Sequence, residues 1–281
     1  MNTSVGYFLN LKHDQTMSYE RYTKAMDDEA YKEMIELQEK HWWFVARREV
    51  IQSIMTRHMN ESSKSKVLEI GCGVGGNVGL LSQSGNYLGI DMHRPAVNYC
   101  SEKFPQFDFQ CTRVEDIPRE FSSNKFDSIY ILDVLEHIDD QIAILKSTQN
   151  YLNQSGKILL TVPAFEFLWS PHDDFVHHVR RYTKNGLKKT LEEAGFKIER
   201  ISYFNTILFP LALIQRLSMR LLKKKLSTHL STPPQVINRL FQFIFAQEAW
   251  ILKHTNLPVG LSIIVVMSKC PSSKTYSSIQ N

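Results

Sequence analysis

Apolar and polar residues alternate along most of the chain in blocks that predict a strand followed by a helix. Short apolar runs predict seven buried strands, at 66–70, 86–91, 107–112, 126–132, 157–162, 197–203 and 261–269. Helical spacing of apolar residues predicts helices at 75–84, 95–103, 140–152 and 185–194. Because this alternation is typical of a parallel sheet with helices on both faces, the expected fold class is α/β with a seven-stranded sheet.

Two helical regions lie outside this alternation. Residues 27–55 carry apolar positions at helical spacing and predict an N-terminal cap helix. About 55 residues separate the sixth and seventh strands, far more than a usual connection, and two apolar helical stretches occupy 205–226 and 234–254. We therefore expect a helical cap at 1–60, a core at 61–204 and 257–271, a helical insertion at 205–256 and a disordered polar tail at 272–281.

The stretch Lys66–Asn77, KVLEIGCGVGGN, places four glycines directly after the first predicted strand. Glycine lets the backbone turn sharply and brings bare N–H groups against a ligand. A strand, a glycine-rich turn and a helix form the opening unit of a nucleotide-type cofactor site at the carboxyl edge of a parallel sheet. A tight structural turn or a dinucleotide-binding site would show a similar pattern.

Two acidic residues narrow the interpretation of this turn. Asp91 ends the second strand twenty residues after Gly71, where a carboxylate accepts hydrogen bonds from ribose hydroxyls. That acid suits NAD and S-adenosylmethionine equally. Glu69 lies two residues before Gly71 and gives E-x-G-x-G-x-G, at a position that nicotinamide sites usually keep apolar.

Together with the later LDVLEHI (132–138), these residues make the chain from about Lys66 to Lys269 resemble the class I S-adenosylmethionine-dependent methyltransferases, specifically their small-molecule branch. The resemblance implies a Rossmann-like, mostly parallel sheet whose last strand inserts antiparallel beside strands five and six. It also implies S-adenosylmethionine as the cofactor. The implied cofactor-binding residues are Glu69, Gly71, Cys72, Gly73, Gly75, Asp91, Met92, Glu115, Asp116, Asp133 and Val134.

Within this set the resemblance assigns Asp91 to the ribose and Asp116 to the adenine amino group. A packed methionine is an equal interpretation of Met92, and an acid in an Asx-turn is the structural alternative for Asp116. Asp133 also fits a solvated or capping acid.

The connector at 164–183 holds three histidines, two acids and two arginines within ten residues. Its H-x-R-R-Y pattern at 178–182 resembles that of methyltransferases of bacterial cell-envelope and glycan assembly, and HWWFVARR at 41–48 resembles their cap helix. The expected catalytic residues are His137, His177 and His178, and the expected substrate contacts are Trp43, Arg180, Arg181 and Tyr182.

Structural roles compete with these assignments. His137 equally suits a brace for its loop, both arginines suit ion pairs with Asp173 or Asp174, and Tyr182 suits core packing. We expect a mixed outcome, in which one arginine is structural and His177 or His178 faces the substrate. A metal site built from His172, Asp173, His177 and His178 is disfavoured, because their spacing does not match a helical ligand pair. We expect no metal.

The charge pattern bears on partners and location. The formal net charge is +4, and Arg216–Lys225 holds five basic residues without an acid. Two interpretations of the insertion stay open: its basic, apolar helices contact a membrane surface, or they pack on each other and roof the active site. No signal pattern and no apolar run of about 18 residues is present, so we expect a cytoplasmic protein. Without an N-P-P-Y-type tetrapeptide or a separate basic domain, we expect no nucleic-acid partner.

The expected function is methyl transfer from S-adenosylmethionine to an oxygen of a small-molecule, glycan or lipid-linked acceptor. Nitrogen and carbon are the less favoured acceptor atoms. One alternative is a dinucleotide-dependent oxidoreductase that uses the same glycine turn, and Glu69 and LDVLEHI argue against it. The other is a non-catalytic cofactor-binding scaffold, against which the intact set of cofactor residues argues.

Overall fold

The computed structural model describes residues 26–59, 62, 64–117, 125–221, 229 and 231–270. The tail at 272–281, for which we expect disorder, lies outside these residues.

A single seven-stranded sheet forms the centre of the molecule, in the order β3-β2-β1-β4-β5-β7-β6. Its strands are β1 Ser65–Ile70, β2 Gly85–Asp91, β3 Asp108–Cys111, β4 Phe126–Leu132, β5 Leu152–Pro163, β6 Phe196–Phe204 and β7 Ser262–Lys269. Strands β1 to β5 pair in parallel, whereas β7 runs antiparallel between β5 and β6. The predicted α/β fold with an inserted antiparallel last strand is confirmed.

Nine helices surround the sheet in the described part of the chain. They are α1 Asp28–Leu37, α2 Trp42–His58, α3 Val78–Leu81, α4 Arg94–Lys103, α5 Gln141–Gln149, α6 Pro171–Phe175, α7 Lys184–Glu193, α8 Phe209–Leu221 and α9 Gln235–His254. Helix α7 ends as predicted before Gly195, whose φ of +87° suits a residue without a Cβ.

Two predicted helices differ from the structure. The single helix expected over 27–55 is wrong, because the chain breaks after Leu37 and starts a new helix at Trp42. His41 caps that second helix, with its Nδ1 accepting from the backbone N–H of Trp43 at 3.3 Å. The helix predicted at 75–84 begins only at Val78, since Gly75 has a φ of +78° that a right-handed helix does not allow.

Apolar side chains from the two faces of the sheet fill two cores. On one face Leu68, Ile131 and Leu160 pack with α5 and α7. On the other face Val67 and Tyr130 pack with α2 and α9. Successive residues of β1 thus point to opposite cores, as the two-residue period of a strand requires. Each fully buried Leu, Ile or Phe contributes about 1.5–3 kcal/mol to folding.

The cap and the insertion form one layer rather than two separate units. Trp42 at the start of α2 meets Phe241 and Phe245 of α9 edge to face, with ring centroids 5.5 and 6.1 Å apart. The Asn238 amide joins the two segments, since its Oδ1 accepts from the Trp42 N–H at 2.9 Å and its Nδ2 donates to the Lys40 carbonyl at 2.8 Å. Among the described residues helix α9 packs along α2, whereas one interpretation of the insertion expected it to pack along α8.

Among the described residues, we find no helix that is both long enough and apolar enough to cross a bilayer.

Candidate active site

A cavity of about 860 Å³ opens at the carboxyl ends of β1, β2 and β4, beneath α1 and α2. The connector after β5 and the start of the insertion close its other end through residues such as Phe175 and Asn205. Its volume lies in the range of small-molecule and cofactor sites. The ends of parallel strands at a change of strand order are where open α/β sheets bind ligands.

The glycine turn forms one wall of this cavity. Gly71 and Gly73 have φ values of +73° and +52°, and both line the cavity together with Cys72. A Cβ on Gly71 would overlap a methyl group of Val134, so only glycine fits there. Gly75 does not line the cavity, and its positive φ shapes the turn instead.

Glu69 lies under the turn and does not line the cavity. Its carboxylate accepts hydrogen bonds from Asn77 Nδ2 at 2.8 Å and from the Tyr87 hydroxyl. Burial raises the pKa of Glu69 to about 7, against the opposing effect of those two hydrogen bonds. The structure therefore places this predicted cofactor residue as a support of the turn.

Asp91 brings a carboxylate to the cavity wall. Its Oδ2 accepts from the Gly73 N–H at 2.8 Å, and its Oδ1 accepts from the His93 N–H at 2.9 Å and the Tyr31 hydroxyl at 3.3 Å. Burial raises the pKa of Asp91, while the His93 and Gly73 N–H groups oppose that effect. Tyr31 also stacks on the His93 ring at 3.8 Å. The helical spacing of Tyr31 in the sequence identified it only as an apolar position.

The remaining predicted cofactor residues lie along the same cavity. Met92 follows β2, and Glu115 and Asp116 end the short 3-10 helix Val114–Asp116 after β3. Val134 and Asp133 follow β4. The ends of β2, β3 and β4 thus bring these side chains to one cavity at the carboxyl edge of the sheet.

A buried arginine that sequence reasoning left without a role holds the Asp133 carboxylate. Arg47 of α2 lies 2.6 Å from Asp133 Oδ2 and donates to Thr161 Oγ1 at 3.1 Å and to Asn77 Oδ1 at 3.4 Å. It thereby links β5, the end of β4 and the glycine turn. Trp43 lines the cavity as predicted, with the Arg47 guanidinium 5.3 Å from its ring centre. The HWWFVARR motif was the available signal for this arginine.

His178 occupies the opposite end of the cavity and is held from behind by Asp173. Its Nδ1 lies 2.8 Å from Asp173 Oδ1, so Nε2 lies on the side of the ring that faces the cavity. Asp173 is fully buried and also accepts from Arg181 Nε at 2.8 Å and from the Ser170 N–H and hydroxyl, both at 2.8 Å. Burial alone would raise the pKa of Asp173, but the hydrogen bonds from His178 and Arg181 hold it well below its usual range.

Three predicted site residues point elsewhere. His177 has a φ of +59°, pairs with Asp27 at 3.4 Å and does not line the cavity. Arg180 donates to the Asp139 carbonyl at 3.0 Å, and Tyr182 is buried with its hydroxyl donating to Gln141 Oε1 at 2.9 Å. The structure thus separates His177 from His178 because the left-handed turn at 177 directs adjacent side chains apart. Arg181 lines the cavity but is bound to Asp173, which matches the structural alternative for this arginine.

His137 and Glu136 adjoin His178. The His137 and His178 rings meet edge to face with centroids 4.7 Å apart, and burial lowers the pKa of His137 to about 3. Glu136 is fully buried, and neither of its carboxylate oxygens has a hydrogen-bond partner among the described residues. Burial, with nearby Asp133, raises the pKa of Glu136. Its position within LDVLEHI was the only signal in the sequence for this acid.

Asn205 is a further polar residue that the sequence did not indicate. It follows β6 with a φ of +57°, lines the cavity and is fully buried. Neither polar atom of its side chain has a partner in the described part of the chain. A buried amide without partners at a cavity wall is suited to a bound molecule.

Several known proteins have sequences similar to that of this chain. A methyltransferase-domain family matches residues 42–201, more than half of the 281-residue chain. A phosphoethanolamine N-methyltransferase from Triticum aestivum is 30% identical over 147 residues, which cover 47% of this chain and 28% of that protein. A ubiquinone biosynthesis O-methyltransferase from Xanthomonas axonopodis is 29% identical over 164 residues, which cover 50% of this chain and 66% of that protein. The chain thus spans between about a quarter and two thirds of the length of these relatives.

Solved structures share the fold at low sequence identity. A chain in the complex of the Haloferax volcanii Trm112 methyltransferase activator with a methyltransferase matches with a TM-score of 0.55 at 13% identity, covering 86% of this chain and 95% of that one. A methyltransferase from Clostridium acetobutylicum matches with a TM-score of 0.50 at 12% identity, covering 79% of this chain and 89% of that one.

The described residues fit the cofactor of this family. The bare backbone of Gly71 and Gly73, both with positive φ, and the Asp91 carboxylate line one continuous cavity. The cofactor is S-adenosylmethionine. On its sequence, its sheet and this site, the chain belongs to the class I S-adenosylmethionine-dependent methyltransferases.

Proposed function

We propose that this enzyme methylates an oxygen of a small-molecule, glycan or lipid-linked acceptor. The observation that carries the proposal is one cavity with the glycine cradle and Asp91 at one end and the Asp173-held His178 at the other. Two relatives named for methylating small molecules, at nitrogen and at oxygen, support a small acceptor without deciding the atom.

The cofactor end is assigned to the glycine turn and the neighbouring strand ends. Gly71, Cys72 and Gly73 present backbone to the methionine part, Asp91 accepts from the ribose hydroxyls, and Asp116 meets the adenine. Bound there, S-adenosylmethionine supplies an electrophilic methyl group on its sulfonium. Glu69 and Arg47 contribute indirectly, because both bind Asn77 beside the turn.

The acceptor end is assigned to His178, His137 and Asn205. In the neutral tautomer whose Nδ1–H donates to Asp173, the His178 Nε2 carries a lone pair on the cavity side of the ring. That nitrogen is placed to receive or direct an acceptor proton, while the Asn205 amide offers both a donor and an acceptor. Alignment of acceptor and methyl group supplies up to roughly 7–11 kcal/mol, and proton transfer adds roughly 100- to 10,000-fold.

Oxygen is favoured by the chemistry of this end. A neutral amine already carries the lone pair that attacks a methyl group, whereas a hydroxyl becomes a strong nucleophile only as its proton leaves. A site that directs unprotonated imidazole nitrogen toward the acceptor therefore suits an O–H group better than an amine.

We also propose that the helical insertion contacts a lipid surface, which would bring a lipid-linked acceptor to the cavity. Val236, Leu240, Phe243 and Trp250 recur at helical spacing along one side of α9 and are more than half exposed. Arg239 and Lys253 flank this stripe and are exposed. Apolar side chains bordered by basic ones fit an anionic interface.

The test uses methyl-labelled S-adenosylmethionine with fractionated cell extract. We expect label to enter a small-molecule, glycan or lipid fraction, with release of S-adenosylhomocysteine, and no binding of NAD(P)H by fluorescence. His178→Gln should lower turnover by roughly 100-fold or more while S-adenosylhomocysteine affinity changes little. His177→Asn is the matched control, since asparagine tolerates a positive φ and His177 lies off the cavity.

The opposite results would overturn parts of the proposal. If His178→Gln turns over like the control, His178 has no part in catalysis. Label in nucleic acid or protein alone would contradict the proposed acceptor class.

A further inference from the structure

Three donor atoms converge at the acceptor end in a way that methyl transfer does not by itself require. A carboxylate oxygen of Glu136 and one ring nitrogen each of His137 and His178 lie within 4.8 Å of one another. We propose that these three side chains bind a divalent transition-metal cation such as Zn²⁺. The inference rests on the proposed function and adds a metal to the same site.

Glu136 is the first reason. Its side chain is fully buried, and neither oxygen has a hydrogen-bond partner in another described residue. A buried carboxylate without a partner is costly, and either a proton or a cation relieves that cost.

The basic side chains near Glu136 are committed to other acids. Arg47 lies 2.6 Å from Asp133, and Arg181 is bound through two nitrogens to Asp173, at 2.8 and 3.0 Å. The His178 Nε2 lies 3.8 Å from Glu136 Oε1, beyond hydrogen-bond distance. A space for a bound cation thus remains between His178 and Glu136.

The histidine tautomers are the second reason. The His178 Nδ1 lies 2.8 Å from Asp173, which leaves Nε2 as the ring nitrogen available to a cation. The backbone of His177 and Val176 hydrogen-bonds the His137 ring, while the buried Nδ1 of His137 has no partner among the described residues. Each ring therefore has one nitrogen that can bind a metal once it carries no proton. A carboxylate that holds the second ring nitrogen, as Asp173 does for His178, is the usual outer partner of a metal-bound histidine.

The distances allow a common ion after a small adjustment. Zinc binds nitrogen at about 2.0–2.1 Å and carboxylate oxygen at about 2.0–2.2 Å, so two ligands of one tetrahedral ion lie about 3.4 Å apart. Donor atoms within 4.8 Å need to close by about 1.4 Å or less, which side-chain rotation supplies. A backbone hydrogen bond already joins the two segments that carry these side chains, because the Val179 N–H donates to the Glu136 carbonyl at 2.8 Å.

Two imidazoles and one carboxylate leave open positions on an ion, and the residues that would hold it line the cavity. An acceptor hydroxyl at such a position would lose its proton to water, while the electron pair of the O–H bond stays on the oxygen. His178 would then act as a metal ligand instead of receiving the proton itself. The sequence did not reveal this set, because only His178 belongs to the histidine-rich connector, and Glu136 and His137 come from a different strand end.

Direct metal titration tests the proposal without cofactor or acceptor. Protein dialysed against EDTA is titrated with Co²⁺, read by its visible absorption, and then with Zn²⁺ in competition. We expect one equivalent to bind to the unaltered chain. Glu136→Gln and His178→Gln should weaken binding by at least the roughly 10- to 100-fold that loss of an outer partner costs. His177→Asn, with a neighbouring histidine outside the donor set, should bind like the unaltered chain.

Thermal unfolding of the same samples gives a second readout. Zn²⁺ should raise the Tm of the unaltered chain and of His177→Asn, but not that of Glu136→Gln. No binding by the unaltered chain, or equal binding by the Glu136 and His178 variants, would overturn the metal site. S-Adenosylhomocysteine affinity and methyl transfer are measured on the EDTA-treated protein in parallel. If the EDTA-treated protein binds S-adenosylhomocysteine and transfers methyl groups normally, the proposed metal is refuted and the proposed function stands. If S-adenosylhomocysteine binding and methyl transfer are both absent even after metal is restored, the proposed function is refuted.

Discussion

The Asp91 carboxylate accepts hydrogen bonds from the backbone N–H groups of Gly73 and His93, and it also faces the cavity. It therefore joins the shape of the glycine turn to the proposed binding of the ribose. Replacing it by alanine would leave buried N–H groups without acceptors and would mix the effects on folding and binding. Asparagine keeps one oxygen and removes the charge.

We predict that Asp91→Asn lowers S-adenosylhomocysteine affinity by roughly 10- to 100-fold, since hydrogen bonds to a charged acceptor contribute about 1.5–3 kcal/mol. Calorimetric titration measures the affinity, and Asp108→Asn, at an exposed acid of β3, is the control. Equal affinities of the two variants would contradict the ribose role of Asp91.

At this scale the sequence predicted residues whose roles follow from local backbone. Gly71 and Gly73 take positive φ values and Asp91 ends a strand, and both features depend on neighbours in sequence. Arg47 binds groups of other elements, and Glu136 lies beside His178 of the connector, so no spacing along the chain could reveal these contacts. For the same reason His177 and His178 looked equivalent until the left-handed conformation of His177 separated them.

Among the elements, β1 and its turn depend on a carboxylate that the fold keeps buried. Glu69 has a pKa of about 7 in the folded chain, chiefly because of burial, whereas an unfolded glutamate titrates near about 4.3. The folded state thus binds this proton more tightly than the unfolded state does. The resulting stabilisation is fully present below about pH 4.3 and is lost as the pH rises through about 7, a change of roughly 4 kcal/mol.

We expect Glu69→Gln to flatten the fall in Tm between about pH 5 and pH 8, because glutamine resembles the protonated carboxyl at every pH. Scanning calorimetry across that range measures the slope, with Glu49→Gln on the exposed side of α2 as the control. An identical slope in Glu69→Gln and the unaltered chain would show that Glu69 titrates alike in both states.

For the cap and the insertion, the sequence predicted the helices but not how they pack. Apolar spacing located α2 and α9, but their contact joins Trp42 to Asn238, 196 positions apart. Helical periodicity defines an apolar face and not its partner, so the sequence suggested packing of the two insertion helices on each other and gave no sign of the contact with α2. Trp42 decides the outcome, since its ring fits against Phe241 and Phe245.

Over the whole molecule, the carboxyl edge of the sheet carries both ends of the cavity, and α8 and α9 present apolar side chains on the outer surface of the protein. Leu211, Ile214 and Leu217 of α8 are about half exposed or more, like the stripe on α9. Lys223–Lys225, the basic run of the sequence, lies outside the described residues. The lipid-contact proposal is therefore best tested through residues of α9.

Flotation with vesicles separates a lipid-binding surface from an exposed apolar one. We predict that the chain floats at low salt with vesicles of phosphatidylglycerol and phosphatidylcholine, and less with phosphatidylcholine alone, because Arg239 and Lys253 meet anionic headgroups. Trp250→Ser with Phe243→Ser should abolish flotation, since both side chains, 68% and 64% exposed, would enter the interface. Their exposure also means that the fold loses little. Lys189→Glu on α7 is the matched control for Arg239→Glu on α9 and should float normally. Release of both charge-reversal variants from the vesicles would indicate general charge attraction. Protein that stays unbound at low salt would leave the insertion as a wall of the cavity and favour a water-soluble acceptor.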